Sequence, residues 1–119
     1  MSARKNLATR REIGGAAILG VDVDPQTRCA HYHSERDIIA IKFKCCGEWF
    51  SCHRCHAMLA GHTAQVWPKE KFDEQAVLCG NCGQQLTISE YLQSKSVCPH
   101  CQSQFNPGCT KHHHLYFEM

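Results

Sequence analysis

Between residues 45 and 56 lie Cys45, Cys46, Cys52, His53, Cys55 and His56, four thiols and two imidazoles in twelve positions. Side chains of this kind are soft metal ligands, and core packing gives no reason for such a density of them. Upstream stand Cys29 and His31, and shortly downstream stands His62. Further on comes Cys79-x2-Cys82-x15-Cys98-x2-Cys101. In that spacing each C-x2-C turn aims two sulfurs at one ion, and two such knuckles close a tetrahedral shell of thiolates around Zn²⁺. A redox reading of the two C-x2-C pairs would require each to open a helix after a strand in a βαβ context, and neither does.

The upstream donors form pairs: Cys29 with His31, Cys45 with Cys46, Cys52 with Cys55, and His56 with His62. Eight groups suffice for two four-coordinate ions. With the ribbon-like set, nine cysteines and three histidines make twelve ligands for three Zn²⁺. Cys55 and His56 are adjacent, so their side chains diverge and belong to different ions. An interleaved arrangement follows, with Cys29, His31, Cys52 and Cys55 on one ion and Cys45, Cys46, His56 and His62 on another. Strand alternation would separate Cys45 from Cys46, whereas a turn at Gly47 would bring them together. The spacing defines the twelve members more tightly than it defines their pairing.

Other candidates stay outside these sets. Cys109 has no nearby cysteine partner and reads as a small buried or semi-exposed thiol. His33, His53 and His100 flank ligands and are expected beside the sites or in solvent. His112, His113 and His114 read as a solvated tail. Tyr32, Phe43, Trp49 and Trp67 are expected to pack around the sites, since no basic residues interleave them as a base-stacking surface requires.

Composition narrows the classes. Ten cysteines in 119 residues would suit a disulfide scaffold, but such a scaffold has no use for nine histidines. Apolar residues make up 43%, a figure the cysteines inflate, so a large buried core is not expected. Thirteen Lys and Arg against eleven Asp and Glu leave a formal charge of +2. Nine thiolates with three Zn²⁺ would bring the protein to about −1, which speaks against phosphate-backbone binding. Residues 13–21 are too short and glycine-rich for a membrane span or a secretory signal.

The elements that must position the donors are short. Residues 18–23 and 38–44 read as strands, the latter placing Ile39, Ile41 and Phe43 on one face and delivering Cys45 and Cys46. Trp49-Phe50 begins a return strand, Cys52 to Leu59 forms one or two helical turns ended by Gly61, and residues 63–76 read as a loop or linker. Ala76 to Leu78 is a strand into Cys79, and Thr87 with Glu90 forms a capping box that opens a helix over residues 88–93. The expected fold is small and zinc-stabilised, with little regular secondary structure: short β-hairpins, zinc knuckles, one or two short helices, and a zinc ribbon in the C-terminal half. Residues 1–12 are expected to be a disordered basic tail. The domain spans 13–119, with two interleaved sites in 29–62 and the ribbon-like site in 76–109. A structural zinc contributes on the order of 10–16 kcal/mol, against about 2–5 kcal/mol for a disulfide. The metal-free chain is therefore expected to be largely unfolded.

The run Cys29-Ala30-His31-Tyr32, the strand ending Lys44-Cys45-Cys46-Gly47, and Cys52-His53-Arg54-Cys55-His56 with His62 resemble the CHY-type zinc finger. The ribbon segment and the closing residues 105–118 resemble its small stand-alone members, among them an assembly factor of the mitochondrial intermembrane space. The resemblance implies three zinc ions on the twelve positions above, in the interleaved pairing. The same module opens certain RING ubiquitin ligases, but the further RING ligands are missing here, so ligase activity is not implied. The expected function is a zinc-binding protein-interaction module, monomeric and without enzymatic activity, with a protein partner and neither nucleic acid nor membrane. A metal carrier or thiol-relay helper is the alternative, in which the histidine-containing second site is the labile one. The cytoplasm is the expected compartment, and the intermembrane space the alternative.

Overall fold

The computed structural model describes residues 8–106 and 113–118. Cys109 and His112 therefore lie outside the described residues.

Its framework is one six-stranded sheet. Strand β1 (Ala8–Ile13) pairs antiparallel with β2 (Ala16–Val21), with Ile13 opposite Ala16. The two-residue loop between them is Gly14-Gly15, with φ of 57° and 79°. Two successive left-handed residues make the turn whose twist matches a hairpin, and glycine adopts it without a Cβ clash. Strand β3 (Ile39–Lys42) pairs antiparallel with both β4 (Trp49–Phe50) and β5 (Gln75–Cys79). Strand β6 (Gln85–Thr87) closes the far edge, and β2 joins β4 in parallel, giving the order β1-β2-β4-β3-β5-β6.

Residues 1–12 were expected to form a tail, yet Ala8 to Glu12 sit in β1. The strand has little apolar alternation because its outer edge and faces are largely exposed, so its hydrogen bonds to β2 come without a hydrophobic pattern. The Gly-Gly pair was the available signal.

Alternation along the strands buries both faces of the sheet. Ala16, Ile18, Ala40, Trp49 and Leu78 form a small apolar cluster with Val23 on one side. Val21, Ile41, Phe50, Val77 and Leu86 enter the larger core on the other, together with Cys29, Cys52, Cys55, Cys79 and Cys98. The short hairpins and knuckles thus surround two apolar clusters, the larger of which exceeds what the composition led one to expect. Trp49 packs on the smaller cluster, away from the donor-bearing core.

Among the described residues, two short α-helices complete the fold. Helix α1 (His53–Leu59) starts at Cys52, whose sulfur accepts from the Cys55 N–H. Helix α2 (Ile88–Gln93) starts at Thr87, whose hydroxyl accepts from the Glu90 N–H at 3.0 Å while Glu90 accepts from the Thr87 N–H at 2.8 Å. This reciprocal capping box is the one read from the sequence.

Residues 63–74 do run as a loop, with one tight helical turn at Lys69–Lys71, but the loop is tied to the fold and is not a free linker. Trp67 is buried, its indole N–H donates to the Lys42 carbonyl at 2.7 Å, and it bridges to Phe117. The stretch from His113 to Glu118 is likewise no solvated tail. His113 lies 3.1 Å from the Tyr91 hydroxyl, and Tyr116 and Phe117 are buried against Phe43, Phe72 and Tyr91. This segment joins the half of the chain containing α1 to the half containing α2.

Candidate metal centres

Among the described residues, three quartets of donor atoms assemble on this frame. They are Cys29, His31, Cys52 and Cys55; Cys45, Cys46, His56 and His62; and Cys79, Cys82, Cys98 and Cys101, each with its donor atoms within 4.8 Å of one another. The interleaved grouping of the first eight is the one set out from the sequence.

The first centre gathers three elements. Cys29 follows β2 in a turn tied back by the Ala30 N–H to the Val21 carbonyl at 2.8 Å and by the Cys29 N–H to the Tyr32 carbonyl at 3.0 Å. Cys52 and Cys55 flank the first turn of α1. Cys52 Sγ lies 3.6 Å from the sulfurs of both Cys29 and Cys55, and His31 Nδ1 lies 3.5–3.8 Å from all three. A tetrahedral Zn²⁺ with Zn–S of about 2.3 Å and Zn–N of about 2.0–2.1 Å sets S···S edges of about 3.8 Å and S···N edges of about 3.5 Å. The donors already stand at these separations. A disulfide would need sulfurs at about 2.05 Å, and the nine described cysteines are all free.

The protons on these sulfurs fit a site for a cation. With thiols alone, hydrogen bonds from Cys52 and Cys55 hold Cys29 as the thiolate, its pKa lowered to about 2. The same contacts keep the other two protonated: Cys52 is pushed far up, and Cys55 up to about 11. One thiolate is tolerated in the buried cluster and three are not, unless a positive charge sits between them. The backbone supports the thiolates further, since the Val21 N–H donates to Cys55 Sγ at 3.3 Å.

The second centre is built on a turn and on the same helix. Gly47, at φ 71°, returns the chain so that its N–H reaches the Phe43 carbonyl at 2.8 Å and the Phe43 N–H reaches Glu48 at 2.9 Å. The turn sets Cys45 and Cys46 side by side, with sulfurs 3.8 Å apart. The strand ends at Lys42, which is why alternation does not separate them. His56 Nε2 and His62 Nε2 each stand 3.2 Å from Cys45 Sγ. His56 is buried and stacked on Phe43 at 4.2 Å, with Phe50 edge-on. Burial, and then the neighbouring His62, hold its pKa down, favouring the neutral imidazole that binds metals. His62, by contrast, is exposed.

The third centre is a pair of knuckles. The first turns between β5 and β6, with the Gly83 N–H to Cys79 O at 2.8 Å and the Cys79 N–H to Gln84 O at 3.0 Å. The second repeats the pattern, with the Gln102 N–H to Cys98 O and the Cys98 N–H to Ser103 O, both at 2.9 Å. Cys79 and Cys101 sulfurs are 3.8 Å apart, and those of Cys82 and Cys98 are 3.9 Å apart. Burial raises Cys79 and works against Cys101, but at Cys101 hydrogen bonds from Asn81 and Ser103 win and bring the pKa down to about 6. No space is left for a Cβ at Gly80 beside the Gln26 and Ile38 carbonyls, so the knuckle lies hard against the sheet.

Several supporting residues carried no sequence signal. Tyr116 accepts the His53 N–H at 3.0 Å, so the C-terminal segment holds the start of α1. Asn81 donates to Cys101 Sγ at 3.5 Å and to the Ser103 hydroxyl at 2.7 Å. His53 lies 3.2 Å from the Tyr32 hydroxyl, beside the first centre, while His33 and His100 are exposed.

Residues 29–114 match the family described as CHY zinc finger. The chain is 44% identical over 110 residues to Helper of Tim protein 13 of Saccharomyces cerevisiae, covering 86% of this chain and 90% of that one. It is 39% identical over 102 residues to the protein of that name in Kluyveromyces lactis, covering 86% and 89%. An uncharacterized protein of Schizosaccharomyces pombe is 41% identical over 101 residues, covering 85% and 88%. No solved structure matches. With its donors paired as a zinc-binding module requires and its matched span covering most of the sequence, the chain belongs to the CHY zinc finger family.

Proposed function

We propose that each quartet holds one zinc ion, three in all, and that the resulting module binds a protein partner and assists its assembly. The observation that carries the reading is the closure of all three quartets: four donors fill a tetrahedral shell. Catalytic zinc keeps three protein ligands and an open position, so a module with three filled shells has structural centres and no enzymatic role. The name of the two budding-yeast relatives supports a helper role and points to a Tim protein as the partner class. It also supports the mitochondrial intermembrane space over the cytoplasm. No helix among the described residues is long and apolar enough to cross a membrane.

Elemental analysis of the purified chain, followed by chelator titration under circular dichroism, tests the reading. Three zinc ions per chain whose removal abolishes the sheet signal support structural centres. A stoichiometry near zero with disulfides in place of thiols refutes them. Co-purification of a Tim protein with a tagged chain, lost on chelation, is the expected partner result.

A further inference from the structure

Of the twelve donors, His62 is held least by the fold. Its three companions are fixed from elsewhere. Cys45 and Cys46 sit on the hydrogen-bonded turn at Gly47, and His56 is buried on α1 between Phe43 and Phe50. His62 lies past the end of α1, after Gly61 at φ 74°, in a stretch where residues 61–66 are all exposed. The Ala60 N–H still bonds to the His56 carbonyl, and the ladder resumes at the Trp67 N–H to Tyr116 O. Between those two bonds, residues 61–66 make no backbone hydrogen bond among the described residues. Among the described residues, the hydrogen-bond and ring contacts of His62 are to its own centre: Nε2 lies 3.2 Å from Cys45 Sγ, and the ring meets His56 in a T-shaped arrangement with centroids 4.9 Å apart.

Exposure alone does not single it out, because Cys82 of the third centre is exposed as well. But Cys82 is a thiolate donor within a knuckle braced on both sides, with the Gly80 N–H to Ile38 O at 2.6 Å and the Gly83 N–H to Cys79 O. His62 is a neutral donor on an unbraced segment anchored at both ends. Outward displacement of residues 61–66 would break no backbone hydrogen bond of α1 or of the sheet.

We infer that His62 is the exchangeable ligand of the second centre, and that the ligand which takes its place is a thiolate from outside the chain, such as a cysteine side chain. The inference rests on the three-zinc reading above. With the ion bound, His62 Nε2 would release it and take up the proton of the incoming thiol, whose sulfur would occupy the position that His62 leaves. No electrons change hands. Sulfur is the fitting class because the two sulfurs already present make the centre a soft one.

The test uses the zinc-loaded full chain, after elemental analysis has shown three ions; fewer than three would defeat the three-zinc reading itself before exchange is measured. Release is followed with excess 4-(2-pyridylazo)resorcinol. One third of the zinc should leave in a faster phase, which 2-mercaptoethanol accelerates. His62→Ala should speed that phase, and His62→Cys should slow it, each by at least about tenfold, with circular dichroism unchanged. In the cobalt-substituted protein, 2-mercaptoethanol should raise the sulfur-to-metal charge-transfer absorbance, and in His62→Cys it should not. Release of all three ions in one phase overturns the inference, as does a fast phase unmoved by the His62 variants. Unfolding of His62→Ala overturns it too, because a ligand that can leave is not one the fold requires.

Discussion

Helix α1 carries donors of two centres on adjacent residues, Cys55 of the first and His56 of the second, so damage to one centre should be felt at the other. Cys29→Ser tests this without touching the helix. Cys29 is buried, with its sulfur 3.6 Å from Cys52 and 3.8 Å from His31 Nδ1, and the hydroxyl of serine is a poor replacement. A structural zinc is worth on the order of 10–16 kcal/mol, so one donor of four accounts for about 2.5–4 kcal/mol. At about 1.4 kcal/mol per tenfold, the first centre should bind zinc roughly 10²–10³-fold more weakly. The start of α1 then keeps only His31 as its donor tie to the turn after β2. His56 becomes less well placed, and a coupling of about 1–3 kcal/mol should weaken the second centre by about 5–150-fold. The third centre, whose donors all lie between Cys79 and Cys101, should keep its affinity. Competition against chelators of graded strength resolves the three affinities. A second centre that retains full affinity in Cys29→Ser would refute the coupling through α1.

Other outcomes follow from the packing. Phe117→Ala removes a fully buried ring and should cost about 3–5 kcal/mol in denaturant unfolding of the zinc-loaded protein. Thr87→Ala breaks the capping box and should cost about 1 kcal/mol, read as a small drop in melting temperature with zinc content unchanged. Gly80→Ala sets a methyl group against the Gln26 and Ile38 carbonyls, and elemental analysis should show loss of the third zinc alone. Chelation with EDTA under reducing conditions should abolish the far-ultraviolet sheet signal; a retained signal would mean that the core stands without metal.

The twelve donors were legible because they come in local pairs, whereas the grouping of the first eight, which joins Cys29 and His31 to Cys52 and Cys55, was the looser part of the reading. A C-x2-C turn is a complete structural instruction, and the divergence of adjacent side chains sorts Cys55 from His56. The capping box at Thr87 was legible for the same reason. What escaped was everything set by distant pairing. The parallel contact of β2 with β4 rests on Ile18 opposite Trp49 and Leu19 opposite Phe50, two residues on each strand, too few to leave a pattern. Strand β1 alternates without an apolar face. Trp67, Tyr116 and Phe117 bury themselves in a seam between the two halves, and no periodicity announces it.

That seam has a consequence for biosynthesis. Chains leave the ribosome from the N-terminus, so the donors between Cys29 and His62 emerge as a set well before Tyr116 and Phe117 do. The first two quartets can load and set α1 while the ribbon is still being made. The contact that holds the start of α1 to Tyr116, and Trp67 to Phe117, closes only afterwards. Vectorial synthesis thus leaves an interval in which the metal-bearing half is assembled but not yet locked to the ribbon. Zinc bound in that interval would hold the emerged half together before its contacts with Tyr116 and Phe117 close.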